Sequence, residues 1–156
     1  MKYGFVLFLM LFVVAFSFAG SNPSFDAVKS LAGNWKGTGP DGKPFTVNYQ
    51  VISGGTVVME RQNEEEMVTM YYLDGNDLML THYCMANNQP RMKASAMNGK
   101  NLEFQFVDAS NLADPSAGHM HGLVLTIDDP DHIQEDWKWS AMGKMESHAF
   151  KLERVK

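Results

Sequence analysis

The sequence contains one cysteine, Cys84, among 156 residues. A single cysteine excludes an internal disulfide, so the fold depends on a hydrophobic core. Basic residues are also few: 13 Lys and Arg stand against 18 Asp and Glu, and the net charge of −5 argues against nucleic acids and anionic membrane surfaces as partners. Gly-x-Ser-x-Gly and phosphate-cradling glycine loops are both missing. The sequence therefore favours a binding protein over an enzyme.

One long apolar run is present, at the N-terminus. Lys2 precedes the uninterrupted apolar segment Gly4 to Phe16, and Ser17-Phe18-Ala19 supplies the small residues of a cleavage site before Gly20. The run is shorter than the ~20 residues of a membrane-spanning helix. We therefore expect a cleaved secretory signal peptide, residues 1–19, and a periplasmic or extracellular domain, residues 20–156, with no membrane span after cleavage.

The rest of the chain alternates between apolar and polar residues. A short helix, Phe25 to Leu31, is predicted first, and after it hydrophobic residues recur at every second position. Turn signals such as Gly75-Asn76 and Asn98-Gly99 separate the segments and favour hairpins. With a short strand at Trp35 to Gly39, the segments number about ten. The sequence predicts an all-β fold, an antiparallel up-and-down barrel of about ten strands whose N-terminal helix closes one end.

The start of the first strand resembles the calycin superfamily, which includes lipocalins and fatty-acid-binding proteins. The residues that carry the resemblance are Leu31 to Gly37, LAGNWKG, a short helix leading into Gly-x-Trp. The resemblance implies a barrel closed at one end by Trp35 beneath Arg154 of the last strand, a cation–π contact worth ~0.5–2 kcal/mol. Met67 to Met92 is similar to uncharacterised bacterial lipocalin-like exported proteins, which implies no particular activity.

A further resemblance, to the nitrobindins, concerns the nine residues from Leu31 to Gly39, Leu-x-Gly-x-Trp-x-Gly-x-Gly. Nitrobindins are ten-stranded barrels that bind haem through a histidine near the C-terminus, and His148 lies in the comparable stretch. Five nitrogen and sulfur donors of the chain suit zinc, copper or haem iron if they point into one cavity. The alternative is that they hydrogen-bond in the core or at the rim. These five candidate metal ligands are His82, Cys84, His119, His121 and His148.

A barrel of this size can enclose a small hydrophobic molecule. The predicted inward face comprises Phe45, Val47, Tyr49, Leu80, Phe104, Leu123 and Phe150. The candidate ligand-binding residues are Tyr49, Tyr71, Leu80, His82, Cys84, Arg91, Phe104, His121 and His148. Arg91 is included because arginine can bind a carboxylate with two hydrogen bonds. Both faces of Leu78 to Met85 are partly apolar, so which of them is internal stays open.

Three functional hypotheses follow. In the first, an exported protein holds a small, largely apolar molecule inside the barrel and needs no cofactor. In the second, the barrel binds haem or a transition metal and has a redox or isomerase activity. In the third, the barrel is plugged by its own side chains, and the protein is a structural or envelope interaction protein. No spacing of Ser, His and Asp nominates a catalytic triad.

Overall fold

The computed structural model describes residues 22–63 and 66–156, so the predicted signal peptide lies outside the described residues. One short helix, α1 (Pro23–Lys29), precedes ten strands. The strands are β1 (Gly33–Thr38), β2 (Pro44–Ile52), β3 (Val57–Gln62), β4 (Met67–Asp74), β5 (Asp77–Tyr83), β6 (Gln89–Ala94), β7 (Asn101–Ser110), β8 (His119–Asp129), β9 (His132–Ala141) and β10 (Lys144–Arg154). Within the described residues, no helix is long and apolar enough to cross a membrane.

Each strand pairs antiparallel with the next strand of the chain, and β1 also pairs with β10, which closes the barrel. The prediction of a ten-stranded up-and-down barrel is confirmed. Period-two hydrophobicity and short turns produce this topology because neighbouring strands can join only as hairpins. In the closing pair, Trp35 stands opposite Arg154. In the part of the chain that the structure describes, closure gives every strand a hydrogen-bonded neighbour on both sides.

The helix covers one end of the barrel. It begins two residues earlier than predicted, because the side chain of Asn22 accepts a hydrogen bond from the backbone N–H of Phe25 and Pro23 suits the first helical turn. Phe25 and Val28 face the core and are buried. Behind the helix, the guanidinium of Arg154 lies 4.3 Å from the centroid of the Trp35 ring.

Arg154 also ties the helix end to the β8–β9 turn. Its guanidinium donates hydrogen bonds to the backbone carbonyls of Ser30, Ala32 and Pro130, at 3.0, 2.7 and 2.7 Å. The carbonyls of Ser30 and Ala32 follow the helix, where backbone carbonyls have no partner inside the helix, and that of Pro130 belongs to the β8–β9 turn. The closed end of the barrel is therefore held by both a cation–π contact and three hydrogen bonds.

The interior beside the helix and at mid-height is filled by side chains. All seven residues of the predicted inward face are buried. On β5 the internal face is the one that carries Leu78, Leu80 and His82, while Tyr83 is exposed. This answers the question left open by the sequence: His82 belongs to the interior.

A register shift between Met120 and Gly122 alters the faces of β8. Leu123 and Leu125 are fully buried as predicted. His121 is the extra residue at this β-bulge, and a bulge breaks the period-two alternation of a strand. Simple alternation predicts that His119 and His121 lie on the same face as Leu123. Because of the bulge, the residues before it do not continue that face.

Candidate ligand-binding site

A cavity of about 560 Å³ lies at the end of the barrel opposite the helix. Its volume falls within the range typical of small-molecule sites, about 300–1,000 Å³. Its rim is formed by the β1–β2 connection, with Gly39, Pro40, Asp41 and Lys43, and by Pro44 at the start of β2. Its walls are five apolar side chains, Phe45, Met67, Met120, Trp137 and Phe150, and three polar ones, Gln62, His82 and His148. The cavity is therefore mostly apolar, with a few polar groups.

His82 is the most buried of the three polar side chains, with 1 % of its surface exposed. Its ring lies 4.8 Å from the Trp137 ring, centroid to centroid, and its Nδ1 is 3.0 Å from the Thr69 hydroxyl. Burial lowers the pKa of His82 to about 4, so the imidazole is neutral at neutral pH. Its other ring nitrogen, Nε2, is buried and accepts or donates no hydrogen bond among residues 22–63 and 66–156.

Two buried glutamates lie directly beneath the cavity walls. The hydroxyl of Tyr49 donates to Oε1 of Glu135 at 2.6 Å, and the Trp137 indole donates to Oε2 at 3.1 Å. The second glutamate, Glu60, is held in a similar way. Tyr71 donates to its Oε2 at 2.6 Å and Gln62 donates to its Oε1 at 3.0 Å. Each carboxyl thus receives two hydrogen bonds from named side chains.

Burial raises the pKa of both carboxyl groups. For Glu60 the rise carries the pKa well above the ordinary value, and the nearby charge of Glu135 adds to it. For Glu135 burial is again the main cause, opposed by the hydrogen bonds from Tyr49 and Trp137. Burial and the adjacent carboxylates also hold the pKa values of Tyr49 and Tyr71 well above 10. The tyrosines are therefore neutral donors, and the carboxyl pair favours retaining a proton.

The predicted binding residues fall into separate groups. Four of them, Tyr49, Tyr71, Leu80 and Phe104, are buried in the filled interior and are not part of the cavity wall. Cys84 follows β5, is half-buried, and its backbone N–H donates to the Asn88 carbonyl. Arg91 lies on the outer face, where its guanidinium binds Asp108 through two hydrogen bonds of 2.7 and 2.5 Å.

The predicted metal ligands are also divided. His82 and His148 line the cavity, whereas Cys84, His119 and His121 are not among its lining residues. His119 Nε2 lies 3.0 Å from His121 Nδ1. The His121 ring stacks on Phe106, whereas the His119 ring contacts Phe106 at an angle of 48°. Over residues 22–63 and 66–156, no group of three or more His, Cys, Asp or Glu side chains is arranged to hold a metal ion. The five-residue metal site stays a prediction.

Sequence reasoning missed Glu60 and Glu135. Each stands on an inward position of its strand, Glu60 two residues after Val58 and Glu135 two residues after Ile133. An acidic residue at a position where the alternation demands an apolar one was the available signal. The other wall and network residues that were not among the candidate site residues are Gln62, Met67, Thr69, Met120 and Trp137.

No protein-family model matches the chain, and no curated protein matches it. Among solved structures, EF1p2_mFAP2b bound to DFHBI is similar over 84% of this chain and 98% of that chain, with 13% sequence identity and a TM-score of 0.37. At that identity and TM-score the likeness says nothing about what this chain binds. The closed ten-stranded barrel of the chain itself fits a calycin-like fold.

Proposed function

We propose that the protein binds a small, largely apolar molecule in the cavity at the open end of the barrel. The observation that supports this most directly is the cavity wall, in which five apolar side chains surround one buried imidazole. Transfer of apolar surface from water to such a wall contributes ~25 cal/mol per Å² before ordering costs are subtracted. The few polar groups would then fix the orientation of the bound molecule.

The filled interior limits the shape of the ligand. Below the cavity, Tyr49, Tyr71 and Phe104 have at most 1 % of their surface exposed. A long chain running through the barrel would have to displace these side chains and their hydrogen bonds. The site therefore suits a compact molecule held in the outer part of the barrel. The inner part of the barrel is filled by its own side chains, which is the arrangement that the third hypothesis from the sequence describes for the whole barrel.

We further propose that binding takes place outside the cytoplasm. Support comes from the sequence: Lys2, the apolar run Gly4 to Phe16, and the small residues before Gly20. Expression of the full chain in a bacterial host, followed by mass measurement of the secreted or periplasmic protein, tests this proposal. We expect a mature N-terminus at Gly20. Retention of residues 1–19 in the product would contradict cleavage.

Binding can be tested with N-phenyl-1-naphthylamine, whose fluorescence rises in an apolar site. We expect saturable enhancement with the mature protein, and a loss of enhancement in Met120→Trp, which fills the cavity. The matched control is Met142→Trp, because Met142 is 83% exposed and lies in the β9–β10 turn. Equal enhancement in the two variants would place the probe elsewhere and contradict the proposed site.

A further inference from the structure

We infer that the open-end cavity is also a binding site for a soft monovalent cation, Cu(I), held by two thioether sulfurs and two imidazoles, those of Met67, Met120, His82 and His148. All four side chains line this cavity. The inference goes beyond the proposed function, because it needs the cavity but not an apolar ligand. The donor set keeps two of the five predicted metal ligands, both histidines, and adds two methionines.

Strand pairing brings two of these donors together on β4 and β5. Thr69 stands opposite His82, and Met67 lies two residues before Thr69 on the same face of β4. Side chains in such a diagonal arrangement are within reach of one another when they are long or aromatic. The His82 ring in turn lies 4.8 Å from the Trp137 ring on β9, centroid to centroid. This contact joins the pair to a different part of the barrel wall.

The other two donors neighbour Trp137. His148 stands directly opposite Trp137 in the pairing of β9 with β10, and residues directly opposite one another share a face of the sheet. Met120 stands opposite Trp139, two residues further along β9. The two imidazoles and the two thioethers therefore lie around the indole ring of Trp137, in a cavity of about 560 Å³.

His82 offers a ligand atom inside the wall. Its Nε2 is buried and has no hydrogen-bond partner among residues 22–63 and 66–156, whereas its Nδ1 lies 3.0 Å from the Thr69 hydroxyl. A hydroxyl accepts as well as donates, so Nδ1 can carry the ring proton whenever Nε2 gives its lone pair to a metal. Metal-bound histidines usually engage their other nitrogen in this way. Burial lowers the pKa of His82 to about 4, so the ring is neutral, as a metal ligand must be, at neutral pH.

The kind of donor decides which ion the site prefers. Thioether sulfur is a soft ligand that selects Cu(I), and imidazole also suits copper, whereas Mg²⁺ and Ca²⁺ prefer oxygen ligands. Asp41, an acidic residue of the lining, lies at the rim and is paired with Lys43. The indole face of Trp137 adds a favourable contact for a cation. A single charge also costs less to bury in a mostly apolar wall than a double charge does.

The test titrates Cu(I) into the mature protein under anaerobic conditions, in competition with the coloured chelator bicinchoninate. We expect one Cu(I) per chain. Ag(I), which is also soft and monovalent, should compete for the same site. Zn²⁺ should not displace Cu(I), because zinc sites are built from thiolate, imidazole and carboxylate ligands rather than thioethers. Displacement of Cu(I) by an equal concentration of Zn²⁺ would contradict a thioether site.

Variants locate the ion. Met67→Leu and Met120→Leu each remove one sulfur but conserve volume and apolar character, so the fold should persist. Each should weaken Cu(I) binding at least about tenfold, since even substitution of an outer-shell partner at a metal site costs that much. The matched control is Met142→Leu, which should keep the wild-type affinity because Met142 is 83% exposed in the β9–β10 turn.

A thiolate also binds Cu(I), so Cys84→Ser is the second control. Cys84 is not among the residues that line the cavity, and the variant should still bind one Cu(I). X-ray absorption at the copper edge of Cys84→Ser should then show sulfur neighbours, which can come only from methionine. Loss of Cu(I) binding in Cys84→Ser, or a copper edge without sulfur neighbours, would overturn the inference. Unchanged affinity in both Met67→Leu and Met120→Leu would overturn it as well.

The outcomes separate this inference from the proposed function. If Cu(I) binds with the expected variant pattern and N-phenyl-1-naphthylamine does not bind, the proposed function is wrong and the inference stands. If the fluorescent probe binds and Cu(I) does not, the inference is wrong and the proposed function stands.

Discussion

The hydroxyl of Tyr49 donates a 2.6 Å hydrogen bond to Oε1 of Glu135 in the interior of the barrel. Tyr71 holds Glu60 with a bond of the same length, and the two tyrosine rings lie 6.4 Å apart, centroid to centroid. Both carboxyls are completely buried. Burial of a carboxyl is costly unless hydrogen bonds compensate, so each glutamate depends on its tyrosine.

Substitution of Tyr71 by phenylalanine removes one of these two hydroxyl donors. Tyr71→Phe leaves Glu60 with an unmet hydrogen bond in the core and should lower the free energy of unfolding by about 1–3 kcal/mol. The matched control is Tyr72→Phe, because Tyr72 is the next residue on β4, is only half-buried, and contacts Thr81 at 3.2 Å. Its change should stay within about 0.5 kcal/mol. Urea unfolding measures both free energies, provided that the slope of free energy against urea concentration is unchanged in the variants. Equal losses of unfolding free energy in Tyr71→Phe and Tyr72→Phe would contradict the assigned role of Tyr71.

Strand β2 shows what the sequence pattern predicts correctly, and Glu135 shows what it does not predict. On β2, alternation correctly identified Phe45, Val47 and Tyr49 as inward residues, because one face of the strand is apolar and the other polar. Alternation could not identify Glu135 as internal. Its partner Tyr49 is 86 positions away in the chain, and the pairing exists only once the barrel has closed. The polar network therefore depends on tertiary contacts that a local pattern does not record.

Strand β8 shows a second limit. Alternation predicted that His119 and His121 share the face of Leu123, but the register shift after Met120 separates them. A bulge adds one residue to a strand without any distinctive residue type, so a period-two pattern cannot reveal it. Met120 lines the cavity as a consequence, and the two histidines contact Phe106 and one another instead.

The second prediction concerns pH and Glu60. Burial, followed by the charge of Glu135, raises the folded-state pKa of Glu60 well above 4.5. Above 4.5 the unfolded chain has released this proton while the folded state still binds it, so the stabilisation is complete at low pH and declines as pH rises through the folded-state pKa. Glu60→Gln cannot release a proton and should show a smaller decline.

Unfolding free energies measured between about pH 5 and 9 test this linkage. The control is Glu146→Gln, since Glu146 is exposed on β10 and its substitution should preserve the wild-type pH profile. The residual decline in Glu60→Gln would reflect Glu135, whose pKa is also raised by burial. Parallel profiles for wild type and Glu60→Gln would show that Glu60 ionises in the folded protein as it does in the unfolded chain.

His82 should make stability depend on pH in the direction opposite to Glu60. Burial lowers the pKa of His82 from 6.5 to about 4. Between these values the unfolded chain binds a proton that the folded protein does not, so stability is lost as pH falls from 6.5 toward 4. The loss due to His82 amounts to about 3 kcal/mol. His82→Gln should remove it, whereas His132→Gln should not, because His132 is exposed and the adjacent Asp129 raises its pKa. If His82→Gln kept the wild-type loss of stability at acid pH, His82 would take up its proton at the same pH in the folded protein as in the unfolded chain.

The last prediction concerns the closure of the barrel at Gly37. Gly37 stands opposite Leu152 in the pairing of β1 with β10. A Cβ added there would lie 1.9 Å from the backbone carbonyl oxygen of Lys151, a distance that requires the two strands to separate. Gly37→Ala should therefore cost about 1–3 kcal/mol or more, because backbone cannot move aside as a flexible side chain does.

Gly39→Ala is the control for this substitution. It lies two residues further along the chain, and a Cβ there would meet its nearest atom, Oδ1 of Asp41, at 3.4 Å, an ordinary contact. Its effect should stay within about 0.5 kcal/mol. Thermal and urea unfolding compare the two variants, and hydrogen exchange at the amides of β1 and β10 should quicken in Gly37→Ala alone. Equal stability of the two variants would show that β1 and β10 can accommodate a methyl group without separating, and that their close approach does not control closure.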